Sequence, residues 1–305
     1  MHQIADLLRR CEFFPSAPGR LVLRFNERKQ ALDPVTVSML AAWADFWQTR
    51  AVQVTCENQS GTGPRYAQRL GLFHYLPNDG AKPLLAHEPA GRFVELRRVA
   101  TQDELSALCA DVASILRVPH LINLAQYFLA EMARNAIEHA GAPAFACAQY
   151  YEKDKRVTIG IADCGRGIQE SLRENYGFAN DRDAVLAALK PGVSGAARRP
   201  YSAPDNAGLG LYYARGISMV SSRPFVVVSG SCAFKQFSSQ ERKIPAHDPT
   251  KDHHAVVDIK GWQGTVVGLN IRGDQGDKDA FLVRMASALN IGSTISRKPK
   301  LRFSS

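Results

Sequence analysis

Three short stretches of this chain carry residue types whose spacing could do chemistry. In EMARNAIEHA (Glu131 to Ala140), Glu131 and Asn135 stand four residues apart, so one helix face can aim both into the same site. A carboxylate there can take a proton from a nucleophile, and an amide oxygen can ligate Mg²⁺. In IADCGRGI, Asp163 closes an apolar run and is followed by Gly165, Gly167 and Ile168. An acidic side chain at a strand end can accept a hydrogen bond from an exocyclic amine, and glycines let backbone approach a flat ring. In NAGLGL, Gly208, Leu209 and Gly210 open a helical run, where bare N–H groups and the helix dipole favour phosphate. Each stretch alone has an ordinary alternative: a solvated helix face for the first, a glycine turn for the other two.

Order and spacing together say more. A helix with ExxxN, a strand running into DxGxGI and a GLGL loop opening a helix resemble the N, G1 and G2 boxes of the GHKL superfamily, the histidine-kinase-like ATPases. The match runs from Leu121 to about Val220, and GTVVGLNI (Gly264 to Ile271) resembles the closing strand of that fold. The loop is not a Walker A motif, since no Lys-Ser/Thr follows the glycines, and no βαβ unit surrounds it as in a dinucleotide fingerprint. The resemblance implies ATP and Mg as ligands. By it, Asn135 holds the Mg²⁺ that bridges the phosphates, and Asp163 recognises the adenine amino group. Gly165, Gly167 and Ile168 belong to the base pocket, Gly208, Leu209 and Gly210 to the phosphate loop, and Glu131 to the position of the general base.

Two departures refine this. Asn206 stands where the phosphate loop of the family usually has its first glycine, and no HExxP-like box precedes Glu131. His120 lacks an acidic neighbour, which argues against an autophosphorylating histidine kinase. The nearest resemblance is to anti-sigma-factor serine kinases. Residues 169–205 are the expected lid over the nucleotide, with a helix over Asp181 to Leu189 and with Arg198 or Arg199 as candidates for the γ-phosphate. His247, Asp252, His253 and His254, in a polar insertion over 237–254, are the other residues of metal-ligating type. Cys164, inside the second motif, is not expected to be an activated thiol.

The elements that must position these residues are legible by periodicity. Thr101 with Glu104 forms a capping box before a helix whose apolar side is Leu105, Leu108, Val112 and Ile115. A helix over 121–139 follows, ended by Gly141 and Pro143, then a hairpin of Phe145–Tyr151 and Arg156–Asp163 around EKDK. FVELRRV (Phe93 to Val99) reads as a strand. Upstream, LVLRF, a helix opening at Asp33-Pro34, the β-rich AVQVTC and a helix in RYAQRLGLF give a strand–helix–strand–helix order that resembles STAS domains, with Ser38, Ser60 and Thr62 as candidate phosphoacceptors. The expected fold is an α/β two-layer sandwich of the Bergerat type, a mixed sheet with helices on one face, plus a smaller N-terminal STAS-like α/β domain. The expected division is 1–90, 91–290 and a basic tail over 291–305, with 77–91 as linker.

Composition bounds the class. Across 305 residues, 45% hydrophobic and 22% charged, the chain has ordinary globular content and length for two domains. No apolar run approaches the ~18 residues of a membrane span, and MHQIADLLRRCEFF mixes charge into its apolar residues unlike a signal peptide, so a cytoplasmic setting is expected. Six scattered cysteines without a CxxC pair point to free thiols rather than disulfides or zinc. The net charge of +9 is spread along the chain, and its one compact cluster is Arg297, Lys298, Lys300 and Arg302. That does not by itself argue for nucleic acid. The resemblance instead implies a protein partner, of STAS type or in a sigma-factor pathway, and is compatible with a homodimer. Three functions fit: a serine/threonine protein kinase, a mechanochemical ATPase, and a nucleotide-gated switch with little turnover.

Overall fold

The structure, a computed structural model, describes residues 4–25, 32–57, 61–76, 92–116, 118–195, 208–238 and 245–272. It is a mixed α/β protein built on one antiparallel sheet. β3 (Phe93–Val99), β4 (Ala144–Tyr151), β5 (Arg156–Asp163), β6 (Phe225–Gln236) and β7 (His254–Arg272) form this sheet in the order β3-β4-β5-β7-β6. β1 (Arg20–Arg24) and β2 (Gln53–Glu57) pair separately and parallel, Arg20 opposite Gln53 and Arg24 opposite Glu57, with α2 (Pro34–Gln48) between them in the chain.

Period-two alternation divides the sheet into two apolar faces. Val157, Ile159 and Ile161 of β5, with Val267 and Leu269 of β7, share a core with α4 (Gln102–Ile115), α5 (Pro119–Arg134) and α8 (Gly210–Val220). Phe145 and Cys147 of β4, Ala162 of β5 and Val226 and Val228 of β6 face the other way, into a core filled by α1 (Ile4–Arg10) and α2. The expected mixed sheet covered on one face is therefore corrected: every strand pair of the five-stranded sheet is antiparallel and the N-terminal segment covers its second face. Apolar strand residues on both sides require this, because a bare face would leave large hydrophobic area in water.

The contact between α2 and the sheet is close enough to dictate a residue. A Cβ at position 160 would fall 2.4 Å from the carbonyl oxygen of Pro34, so only glycine lets α2 backbone rest on β5. Ser38 Oγ donates to the Gly160 carbonyl at 3.0 Å and is fully buried. Its reading as a phosphoacceptor is thereby corrected: the hydroxyl seats the helix. Ser60 lies outside the described residues, and Thr62 is the first residue of α3 (Thr62–Arg69).

Local signals do form local structure. Asp33 Oδ1 accepts from the Thr36 N–H at 2.9 Å and caps α2, with Pro34 at its first position. Thr101 and Glu104 make the capping box of α4 in both directions. The helix expected over 121–139 differs in kind: α5 is α-helical to Arg134, and Asn135–Ala140 is a π-helical turn closed by Gly141 at φ 69°. Such turns concentrate at functional sites. β7 also begins ten residues before the expected Gly264, at His254. Its first half pairs with Cys232–Gln236 but is only partly buried, so its polar residues read as loop.

The linker over 77–91, Arg198, Arg199, Asn206 and the basic tail lie outside the described residues. Among the described residues no helix is long and apolar enough to cross a membrane. All six cysteines are free, with Cys56, Cys147 and Cys232 buried.

Candidate functional site

β5 ends at Asp163, α5 passes into its π turn at Asn135, and α8 begins at Gly210; these three ends converge on one cleft of about 260 Å³. Its walls include Glu131, Asn135, Asp163, Gly167, Ile168, Gly208 and Gly210, drawn from all three sequence motifs. Helix α6 (Gly167–Leu172), Ala188 at the end of α7 (Asp181–Ala188) and residues 193–195 complete it.

Asp163 is a buried acidic residue of this lining. It is 6% exposed, its Oδ1 accepts from the Gly165 N–H at 2.9 Å, and the Thr265 backbone N–H also reaches the carboxyl. Burial outweighs both hydrogen bonds and pushes its pKa up to about 7. Thr265, which sequence reasoning missed, lines the cleft directly opposite Asp163 in the β5–β7 register. Its signal was available, since it follows Gly264 in the closing-strand phrase. Ser229 of β6 was missed too: its Oγ accepts from the Ile168 N–H at 2.9 Å and donates to the Gly264 carbonyl at 2.8 Å, which ties the glycine turn to two strands.

Two residues assigned to the site stand just behind it. Gly165 is not among the cleft walls; a Cβ there would meet the Ala140 carbonyl oxygen at 2.5 Å, so this glycine lets the turn abut the π turn. Leu209 is 4% exposed and packs with Tyr212 and Tyr213 rather than facing the cleft. Cys164 is no activated thiol. Burial, then the neighbouring Asp163 and Asp45, raises its pKa well above the ordinary thiol value.

In the cleft wall, Glu131 Oε1 accepts from Arg134 Nη1 at 2.9 Å. Glu131 Oε2 faces Gly210, where an added Cβ would stand 3.1 Å away. Burial raises the Glu131 pKa, Arg134 opposes this, and nearby Glu138 adds to it. A carboxyl so placed is a stronger base than one in water.

The N-terminus of α8 meets the cleft at Gly210. Among the described residues no side chain caps the N-terminus of α8, where the first N–H groups of a helix lack intrahelical partners. Gly208 takes φ 80° with its carbonyl accepting from the Gly192 N–H at 2.9 Å; a Cβ would collide with the Val193 carbonyl oxygen at 2.4 Å. Any larger residue would shift the loop that leads into α8.

Among the described residues, side chains of metal-ligating type do not cluster elsewhere. His254 Nδ1 contacts the Asp252 carbonyl at 2.8 Å and its ring stacks on Phe234, while His253 lies on Phe237 and Asp252 pairs with Arg215 at 3.3 Å. Among the described residues no group of three or more His, Cys, Asp or Glu is arranged to hold a metal. In the cleft, the single amide oxygen of Asn135 suits a hard cation that takes its remaining ligands from phosphate and water, as Mg²⁺ does.

No protein-family model matches this chain, and neither a curated protein nor a solved structure matches it.

Proposed function

We propose that this chain binds Mg-ATP in the cleft and belongs, by its motifs, with the GHKL ATPases, its sheet and α5/α8 layer being a Bergerat-type fold. One observation carries the reading: three motifs remote in sequence line one cleft that holds both a buried carboxyl acceptor and the N-terminus of α8. An adenine nucleotide has groups complementary to both, an amine donor and phosphate charge.

In this reading Asp163 accepts from the 6-amino group of adenine, and Gly167 and Ile168 lie along the ring. Backbone N–H groups at Gly210 and just beyond it meet the phosphates. Asn135 lends its amide oxygen to Mg²⁺, which would neutralise phosphate charge when bound. Glu131 takes the proton of the attacking hydroxyl or water, once Arg134 yields the carboxylate or turns toward phosphate itself. Phosphoryl transfer needs such positioning and charge more than covalent help from the protein. A serine or threonine of a partner, of STAS type or in a sigma-factor pathway, is one acceptor; water is the other.

The Glu131–Arg134 ion pair also favours a second reading. A carboxylate that is 7% exposed and already paired gives little turnover until something moves Arg134, so the chain would act as a nucleotide-gated switch. Turnover of Mg-ATP, with a parallel assay for label retained on protein, separates these. Phosphate release lost in Glu131→Gln means an ATPase, and label on a partner means a kinase. Tight binding with neither means a switch, and absence of nucleotide binding sinks all three.

A further inference from the structure

Strand β5 ends at Asp163, and the carbonyl of that residue accepts a hydrogen bond from a side chain, the indole Nε1 of Trp262, at 3.2 Å. Trp262 is 2% exposed and sits on β7 beside Gly261 and Gly264, where the β6–β7 register shifts. Its ring is held from the far side by the N-terminal strap. Phe14 meets it edge-on at 5.3 Å and Phe13 at 5.8 Å between ring centroids. The strap is itself fastened: the Phe13 carbonyl accepts from Trp43 Nε1 at 2.7 Å and Trp47 Nε1 at 3.0 Å, and the Arg10 carbonyl accepts from Lys260 Nζ at 3.1 Å. Apart from Asp163, none of these residues lines the cleft.

We infer that Trp262 is a positioning residue for base recognition, and that residues 10–14 are part of the nucleotide site although they never touch its ligand. The inference rests on the proposed role of Asp163 and deepens it. A carboxylate on the last residue of a strand is aimed by the backbone that carries it. With the Asp163 carbonyl fixed by the indole, the carboxylate keeps its direction into the cleft. Without that bond, the strand end can rotate, and selection for a 6-amino purine is lost before phosphate binding is. The same chain of contacts lets any partner that lifts the strap from Trp262 loosen base recognition from the opposite face of the sheet.

The test is a ratio, read on the full chain. Affinities for Mg-ATP and for the Mg complex of purine riboside triphosphate, which lacks only the 6-amino group, are measured in wild type, Trp262→Phe and Phe14→Leu. Trp262→Phe keeps an aromatic ring against the strap and removes the N–H. Loss of one such bond is worth about fivefold. The expectation is an ATP preference in wild type that falls about fivefold in Trp262→Phe, while purine riboside triphosphate binds within about twofold of wild type, with Phe14→Leu moving the ratio in the same direction. Equal weakening of both nucleotides, or an unchanged ratio, would mean that Trp262 only packs and would overturn the inference. Wild type that binds both nucleotides equally, or neither, would instead remove the proposed role of Asp163 and the inference with it. If Trp262→Phe does not fold, benzothienylalanine at position 262 replaces the N–H by sulfur in a ring of the same shape, and the same ratio decides.

Discussion

Two carboxylates of one cleft face different demands. Glu131 must be ionised to take a proton from the nucleophile; Asp163 must stay an acceptor. Replacing Glu131 by Gln keeps shape and hydrogen bonding but removes the base. Mg-ATP turnover should fall by about 10²–10⁴-fold with binding little changed, as single-turnover and titration measurements would reveal. Asp163 carries a pH signature. Its carboxyl in the fold titrates at about 7, raised by burial, against about 4 in an unfolded chain. A raised carboxyl binds its proton more tightly when folded, so its contribution to stability is complete below about pH 4 and is lost as pH rises through 7. Denaturation of wild type should therefore show stability declining between pH 5 and 8, and Asp163→Asn should flatten that slope. Mg-ATP affinity should rise over the same interval in wild type, because the ionised carboxylate is the better acceptor for the adenine amine.

Elements extend the argument from single groups to their supports. Gly160 and Gly208 both sit under backbone, with different consequences. Gly160→Ala pushes Pro34 and Val35 off β5 and should cost about 1–3 kcal/mol or more of stability in chemical denaturation, since α2 cannot step aside without uncovering the sheet. Gly208→Ala strains a residue at φ 80° against Val193 at the mouth of the cleft, so its larger effect should be on nucleotide affinity. The sequence made some elements plain because their causes are local: Thr101 and Glu104 cap a helix wherever they stand, and the alternation of Phe93–Val99 is complete within seven residues. It hid others whose causes are remote. Nothing near residue 135 announces a π turn, since its wider pitch belongs to the meeting of Asn135–Ala140 with the turn at Gly165. The first half of β7 owes its conformation to β6, and Trp262 owes its role to Phe13 and Phe14 at the opposite end of the chain. Residue type and spacing pointed to Glu131, Asn135, Asp163, Gly167, Ile168, Gly208 and Gly210 as one group, and these line one cleft, whereas Ser229 reaches the glycine turn only through the sheet register.

The whole molecule ties the N-terminal segment to the cleft. Strand and helix residues before position 77 share an apolar core with Phe145, Val226, Val228 and Trp262 of the sheet. A fragment beginning at residue 91 would leave that face in water. Such a fragment should retain helical far-ultraviolet dichroism yet lack the near-ultraviolet signal of fixed aromatic packing, and it should bind a hydrophobic dye. Full near-ultraviolet dichroism and a cooperative melt in the fragment would contradict a shared core. With the proposed nucleotide in the cleft, this arrangement offers a partner on the N-terminal face a route to it through α2 and the strap.

The central claim, that the cleft is a Mg-ATP site, is tested most directly by calorimetric titration of Mg-ATP into the full chain and into Asn135→Ala. The account predicts one saturable site in wild type, about tenfold or more weaker in Asn135→Ala with Mg²⁺ present, and a smaller difference when Mg²⁺ is withheld. No binding by wild type, or equal affinity of the two proteins in Mg²⁺, would contradict it.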